Sequence, residues 1–177
     1  MSAGIPPRGR AVFLVGFMGS GKSAVGRILA GRLACEFVDT DARVEQAEGR
    51  SIEEIFRESG EGRFREAEWR ALQEIEEHGT RVVATGGGLY LGVVQRGFMR
   101  QRGVAVWLDV PLEEIRRRIG AAAGRPLWTP LDPVAQRAFF EKRRAAYALA
   151  DLRVAASGDD PAEIASRVLV RLQGPCH

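Results

Sequence analysis

The strongest chemical signal in the sequence is a glycine-rich segment at residues 16–23, which reads GFMGSGKS. It matches the pattern G-x-x-x-x-G-K-[ST], in which backbone N–H groups wrap around a phosphate chain. In that pattern the lysine, here Lys22, reaches the β- and γ-phosphates, and the hydroxyl of Ser23 binds Mg²⁺. Lys22 is also one of only two lysines among 26 basic residues, so this position keeps a compact ammonium where most others carry arginine. The segment therefore predicts a binding site for a nucleoside triphosphate and its Mg²⁺.

Two carboxylates, Asp39 and Asp41, follow a short predicted strand at 36–39. If the chain stays extended there, side chains two residues apart project to the same side. Such a pair suits Mg²⁺ and a substrate hydroxyl, because phosphoryl transfer needs an acidic support for the metal and a group that orients the acceptor oxygen. The alternative is that one of the two caps the helix that follows, which is a common use of Asp. The neighbouring glycine-rich segment favours the first interpretation.

Two arginines are candidates for binding an anion. Arg65 stands three residues before Glu68 on a predicted helix, and this spacing lets the carboxylate hold the guanidinium in place. Arg143 lies on a later predicted helix. In a chain so rich in arginine most of these side chains belong on the surface, so neither residue indicates a site by itself.

Two further segments suggest close approach to a ligand. Three consecutive glycines at 86–88 close a predicted strand, and they offer backbone N–H groups at the edge where ligands bind; a plain turn is the alternative. Arg125 opens an aperiodic segment, 124–133, that contains three prolines. A loop of this kind with one arginine suits a lid that closes over a nucleotide.

The elements around these residues alternate between strands and helices. Strands are predicted at 10–15, 36–39, 81–85, 104–109 and 152–155. Helices are predicted at 23–33, from 51 to an interruption at Gly60, at 61–78, in the stretch that ends at 102, from 111 to about 120, at 134–149 and at 161–172. This order indicates a largely parallel α/β sheet covered on both faces, with ligands at the carboxyl ends of the strands.

Length and composition limit the number of domains, the kinds of partner and the location that the protein can have. The chain has 177 residues, 45% hydrophobic and 28% charged, which predicts one domain over 1–177 with a core at about 10–172. A net charge of +3 is weak evidence for a nucleic-acid partner. The longest apolar stretch is too short to cross a bilayer, and two cysteines exclude a disulfide framework. We therefore expect a cytoplasmic protein without a nucleic-acid or membrane partner.

Six segments in order resemble those of the shikimate kinase family: GFMGSGKS (16–23), DTD (39–41), GEGRFRE (60–66), TGGG (85–88), RPL (125–127) and RRAAY (143–147). The resemblance runs from about residue 10 to 172. It implies a three-layer α/β sandwich related to the nucleoside monophosphate kinases, with a five-stranded parallel sheet of order 2-3-1-4-5 and a lid at about 120–133. It also implies Mg²⁺-dependent transfer of the γ-phosphoryl of ATP to the 3-hydroxyl of shikimate, in aromatic amino-acid biosynthesis, by a monomer.

The resemblance also assigns residues to ligands. It implies nucleotide binding by Gly19, Ser20, Gly21, Lys22, Ser23, Ala24, Arg118, Arg125 and Pro161. It implies substrate binding by Asp41, Phe56, Phe64, Arg65, Gly86, Gly87, Gly88 and Arg143. It implies Mg²⁺ binding by Ser23 and, through water, Asp39.

Three of these residues, Lys22, Asp41 and Arg125, are implied to be catalytic. Asp41 would help to deprotonate the acceptor hydroxyl, and Lys22 with Arg125 would offset charge on the transferring group. Arg65 and Arg143 would clamp the shikimate carboxylate, with Glu68 holding Arg65. Arg143 is assigned from its spacing to Tyr147, and Arg144 is the alternative.

Other functions compatible with the same motifs stay open at this point. One is a kinase of the same fold that acts on another small polyol acid such as gluconate, because a carboxylate clamp and an Asp do not define a ring. Another is a nucleotide-binding module without catalysis. The sequence departs from the family pattern at 89–90 and at Trp128-Thr129-Pro130 in the predicted lid. We expect the difference in the predicted lid to affect how the lid closes over the site more than the type of reaction.

Overall fold

A five-stranded parallel sheet organises the chain. The computed structural model describes residues 10–75, 79–120, 126–158 and 160–174. The strands are β1 (Ala11–Val15), β2 (Glu36–Asp39), β3 (Arg81–Ala84), β4 (Gly103–Asp109) and β5 (Leu152–Ala155). Their order is β2-β3-β1-β4-β5, so the predicted topology is confirmed.

Seven α-helices are described within the same ranges. They are α1 (Lys22–Leu33), α2 (Thr40–Glu48), α3 (Ile52–Gln73), α4 (Val93–Arg102), α5 (Leu112–Gly120), α6 (Pro133–Tyr147) and α7 (Pro161–Gln173). Ser51 and Glu54 form the capping box that starts α3, as the sequence predicts. Gly60 interrupts α3 with a φ of 78°, which is also the predicted position.

The helices cover both faces of the sheet. Helices α1 and α7 pack against each other, α1 over β2 and β3 and α7 over β5. On the remaining side α4 packs on β4, and a single 3₁₀ turn at Leu89–Leu91 contacts α3, α4 and α6. This is the predicted three-layer arrangement. None of the helices in the described ranges is both long and apolar enough to span a membrane.

The register of the sheet brings the chemically interesting segments to one edge. The central strand β1 is buried along its whole length. Leu14 of β1 and Asp39 of β2 both pair with Ala84 of β3. The segments that follow these three strands therefore begin side by side, at the edge where parallel sheets bind ligands.

One prediction about local structure is wrong. The chain does not stay extended through Asp39 and Asp41, because α2 begins at Thr40. The cause is local: the Asp39 side chain accepts hydrogen bonds from the backbone N–H groups of Asp41 and Ala42, which caps the helix. Asp41 therefore reaches the edge of the sheet from the first turn of a helix.

Candidate active site

The glycine-rich segment forms a tight loop between β1 and α1. Gly16 adopts a φ of 144°, and a Cβ atom there would lie 2.9 Å from the carbonyl oxygen of Leu108. Gly21 precedes α1 with a φ of 85°. The first turn of α1 has neither a capping side chain nor an acidic residue. Its N-terminal N–H groups thus suit a phosphate, together with the positive end of the helix dipole.

Lys22 and Ser23 stand at the start of α1. The Lys22 ammonium donates to the carbonyl oxygens of Gly16 (3.0 Å) and Phe17 (2.8 Å), so it lies across the mouth of the loop. Ser23 Oγ donates to Asp39 Oδ2 at 2.6 Å. One carboxylate oxygen of Asp39 therefore caps α2, as the alternative interpretation has it, and the other accepts from the Ser23 hydroxyl.

This hydroxyl and carboxylate fit the requirements of Mg²⁺. Magnesium prefers oxygen ligands and usually keeps several waters, with few protein ligands and the substrate phosphates completing its shell. Across the ranges that the structure covers, no cluster of three or more His, Cys, Asp or Glu side chains could hold a metal by itself. A magnesium ion beside Ser23 and Asp39 would accordingly depend on phosphate and water oxygens.

A cleft of about 250 Å³ opens beside the loop, at the carboxyl edge of the sheet. Its wall includes seven of the eight predicted substrate-binding residues: Asp41, Phe56, Phe64, Arg65, Gly87, Gly88 and Arg143. The rings of Phe56 and Phe64 lie 4.8 Å apart. Met18 of the loop and Pro126 with Leu127 also line the cleft, so the nucleotide loop and the described end of the predicted lid both reach it.

Arg65 is held by two carboxylates from its own helix. Its guanidinium donates to Glu68 at 2.6 Å and to Glu61 at 2.9 Å. Burial is the largest single influence and works to lower the pKa of Arg65, but the Glu68 and Glu61 carboxylates together outweigh it and the pKa is raised. The predicted pairing of Arg65 with Glu68 is present, and it keeps the cation charged.

Glu68 is completely buried, and its environment opposes ionisation. Burial raises its pKa to about 7, although Arg65 favours the ionised form; the nearby Asp41 carboxylate adds to the increase. Its Oε1 atom has no hydrogen-bond partner among the described residues. A buried carboxyl group with a pKa near neutrality thus forms part of the cleft wall, close to Asp41.

Arg143 and its neighbour Arg144 point to different places. Arg143 is only 5% exposed, lines the cleft, and lies 4.0 Å above the ring centroid of Phe139. Burial lowers its pKa, and the Tyr147 hydroxyl opposes this change. Arg144 instead approaches Asp109 at 3.8 Å, outside the cleft. Of the two alternatives, the structure brings Arg143 together with Arg65.

The three glycines at 86–88 allow close packing of charged groups. A Cβ atom on Gly86 would lie 2.0 Å from Glu68 Oε1 and 2.7 Å from Asp41 Oδ1, and one on Gly88 would lie 2.1 Å from Arg65. The N–H of Gly86 donates to the buried hydroxyl of Thr40 at 2.8 Å. The Gly86 N–H is thus used within the protein, and Gly86 is not among the residues that line the cleft. Its part in substrate binding stays a prediction.

The two residues predicted to flank the adenine, Arg118 and Pro161, both lie at the connection between β5 and α7. Arg118 of α5 donates to the carbonyl oxygens of Gly19 (3.3 Å) and Gly158, and so bridges the glycine-rich loop to the connection between β5 and α7. Pro161 begins α7 at the end of that connection. Glu114 accepts hydrogen bonds from Arg118 and from the Gly158 N–H, and so holds both in place.

The predicted lid is only partly described. Arg125 falls outside the described residues, so the structure says nothing of its position. Trp128 is 4% exposed and packs edge-on against Phe17 of the glycine-rich loop, with ring centroids 5.3 Å apart. Trp128 therefore anchors the described part of the predicted lid to the core, while the next two residues, Thr129 and Pro130, are exposed.

Sequence reasoning gave no site role to three residues that contact the predicted site: Glu114, Tyr147 and Trp128. A signal existed for two of them. Glu114 precedes Arg118 by four residues, and Tyr147 follows Arg143 by four, so each pair lies on one helix face. Trp128 lies in an aperiodic segment and had no such signal.

The sequence and fold match those of known proteins. The family model for shikimate kinase matches residues 18–173. A shikimate kinase from Synechococcus sp. (strain RCC307) is 46% identical over 169 residues, which cover 94% of this chain and 86% of the relative.

Solved structures agree with this match. The crystal structure of shikimate kinase from Aquifex aeolicus vf5 has a TM-score of 0.83 at 36% identity, covering 93% of this chain and 96% of that one. Shikimate kinase from Acinetobacter baumannii in complex with shikimate has a TM-score of 0.83 at 33% identity, covering 90% of each chain. The chain therefore belongs to the shikimate kinase family.

Proposed function

We propose that this protein transfers the γ-phosphoryl group of ATP to the 3-hydroxyl of shikimate, which yields shikimate 3-phosphate and ADP. One observation carries the proposal. Two arginines, Arg65 and Arg143, share one cleft with the carboxylate Asp41, and Met18 of the nucleotide-binding loop lines the same cleft. This arrangement fits a small acid that carries hydroxyl groups and must meet a phosphate chain.

The arginines would bind the carboxylate of the substrate. Guanidinium groups form charge-assisted, directional hydrogen bonds to a planar carboxylate, and such bonds are about twice as strong as neutral ones. Glu68 fixes Arg65, and the ring of Phe139 supports Arg143. Both cations are partly desolvated, which strengthens their attraction for an anion that enters the cleft.

Asp41 would orient the acceptor hydroxyl and take its proton as transfer proceeds. The first turn of α2 holds this residue beside the glycines, and Gly87 and Gly88 form the adjacent wall. The rings of Phe56 and Phe64 would pack against the carbon ring of the substrate. Because all these groups stand on capped helices or on a packed turn, they hold the hydroxyl in one orientation before the phosphate arrives.

Lys22, the N-terminus of α1, and Arg125 would offset charge on the phosphates. Mg²⁺ held near Ser23 and Asp39 would neutralise the β- and γ-phosphate oxygens. Arg118 and Pro161 would flank the adenine. The transfer would be direct and in line, without a covalent enzyme intermediate, so most of the rate would come from positioning and electrostatics. A monomer located in the cytoplasm stays a prediction from the sequence.

The test is ADP release from MgATP, measured in a coupled assay with shikimate, gluconate or no acceptor. We expect turnover with shikimate only. Arg143→Ala should raise the KM for shikimate by at least about tenfold and leave the KM for ATP unchanged, because one charged contact to the carboxylate is lost. Arg144→Ala, one position away and outside the cleft, is the matched control and should behave as wild type. ATP binding without shikimate-dependent turnover would contradict the proposal.

A further inference from the structure

The hydroxyl group of Tyr147 lies behind the cleft wall and contacts two parts of it. Tyr147 ends α6 and is only 2% exposed. Its hydroxyl donates a hydrogen bond to the carbonyl oxygen of Gly87. The same hydroxyl also lies beside the guanidinium of Arg143, one helical turn earlier, and acts to raise the pKa of Arg143. One buried phenol thus connects the glycine turn to an arginine of the cleft.

The chemistry of a phenol sets the direction of both contacts. A neutral tyrosine has one proton and can also accept hydrogen bonds through its oxygen. Because the proton goes to Gly87, the phenol oxygen keeps its lone pairs, and with them a negative partial charge, available to the nearby Arg143 guanidinium. Burial raises the pKa of Tyr147 to about 12, although Arg143 favours the ionised form, so the hydroxyl keeps its proton at neutral pH.

Arg143 needs a directional restraint, and its other contacts supply little of it. It lies over the ring faces of Phe139 and Phe17, at 4.0 and 5.7 Å from their centroids. Contacts of this kind limit the height of a cation above a ring but allow it to slide. The charge of Arg65 acts against that of Arg143, lowering its pKa, so the two cations repel each other. Attraction to the phenol oxygen, which its own hydrogen bond to Gly87 holds in place, opposes that displacement.

We propose that Tyr147 is a positioning residue for carboxylate recognition, which holds the Arg143 guanidinium at a fixed place relative to the Gly87 backbone. This inference rests on the proposed function, in which Arg143 binds the substrate carboxylate. The spacing is close, because a Cβ atom on Gly87 would lie 3.7 Å from Arg143 Nη1. Tyr147 itself does not line the cleft, so it acts through Arg143.

The second tyrosine of the chain provides a matched control. Tyr90 is also buried, at 4% exposure, and its hydroxyl also donates to a backbone carbonyl, that of Leu149 at 3.2 Å. It neither lines the cleft nor contacts an arginine that does. Tyr147→Phe and Tyr90→Phe therefore remove the same atom from similarly buried rings, and only the first removes a contact to Arg143.

The experiment measures steady-state kinetics of both variants with shikimate and with an acceptor whose carboxylate is replaced by hydroxymethyl. For Tyr147→Phe we expect the KM for shikimate to rise about tenfold, the KM for ATP to stay at the wild-type value, and no change relative to wild type on the carboxylate-free acceptor. Tyr90→Phe should match wild type in every kinetic constant. An unchanged KM for shikimate, or an equal loss on both acceptors, would overturn the proposal.

A double-mutant cycle with Arg143→Ala keeps the test independent of any general loss of stability. If Tyr147 acts through Arg143, Tyr147→Phe adds no further increase in KM once Arg143 is removed. Additive effects would overturn the positioning role. Absence of shikimate-dependent turnover in wild type would overturn the proposed function and this inference together. Normal wild-type turnover with an unaffected Tyr147→Phe would overturn this inference alone.

Discussion

Replacing Glu68 with Gln removes a buried carboxyl group whose ionisation lowers the stability of the folded protein. The pKa of Glu68 rises from 4.5 to about 7 in the folded state, because burial removes the carboxylate from water. The folded state therefore binds this proton more tightly than the unfolded state. It follows that the free energy of unfolding decreases as the pH increases from about 4.5 to about 7, and the full loss is present above that range.

The size of this effect follows from the two pKa values. The complete pKa change lowers the free energy of unfolding by about 3 kcal/mol. About 2 kcal/mol of this loss falls between about pH 5.5 and about pH 8. The side chain is completely buried, so solvent does not weaken the effect. In Glu68→Gln the neutral amide has no such dependence, and the wild type should lose about 2 kcal/mol more than the variant over this range.

Urea unfolding at the two pH values measures the difference. The matched control is Glu61→Gln, because Glu61 also binds Arg65 but has a half-exposed side chain. This control should lose stability with pH as wild type does, which separates burial of a carboxyl group from loss of an ion pair with Arg65. Parallel stability curves for wild type and Glu68→Gln would refute the reasoning, since they would mean that Glu68 ionises as easily in the folded state as in the unfolded one.

Three other substitutions test separate parts of the site, and a fourth, Gly97→Ala, is the control for one of them. Lys22→Ala should lower kcat by about 10²- to 10³-fold, because Lys22 no longer offsets charge on the transferring group; a near-normal kcat would contradict its role. Gly86→Ala should lower the free energy of unfolding by about 1–3 kcal/mol in urea, because its Cβ would overlap Glu68. Gly97→Ala in α4, where a Cβ meets open space, should be neutral or stabilising, and equal losses would argue against overlap. Glu114→Gln should raise the KM for ATP several-fold and spare that for shikimate, because Arg118 and Gly158 lose a charged partner; the reverse pattern would contradict this.

Features of the site that depend on residues close in sequence could be predicted from the sequence. The loop at 16–23 has its glycines, Lys22 and Ser23 within eight consecutive positions, so its conformation and its chemistry are encoded together. The pairing of Arg65 with Glu68 follows from one turn of helix. Short apolar runs alternate with segments whose apolar residues recur at helical spacing. This alternation was enough to predict a parallel sheet, because strands and helices have different hydrophobic periods.

Prediction failed where local capping competed with the assumed geometry. Asp39 and Asp41 were expected on an extended segment, but the Asp39 carboxylate captures two N–H groups and starts α2 one residue after the strand. The sequence contained this alternative, since Asp is a common cap. The structure adds that Asp39 can cap α2 and contact Ser23 at the same time, because each of its two carboxylate oxygens makes one of these contacts.

Only the tertiary structure decided which distant residues meet. Tyr147 and Gly87 are 60 positions apart, and Thr40 and Gly86 are 46 apart, yet each pair is joined by a hydrogen bond. The burial of Trp128 against Phe17 likewise had no precursor in sequence pattern. The sequence by itself determined the phosphate-binding loop, the strand and helix order, and the candidate arginines, because these depend on neighbours along the chain. The register of the sheet and the packing of helices on it determined which of those groups share a cleft, because such contacts form only when segments far apart in sequence are brought together.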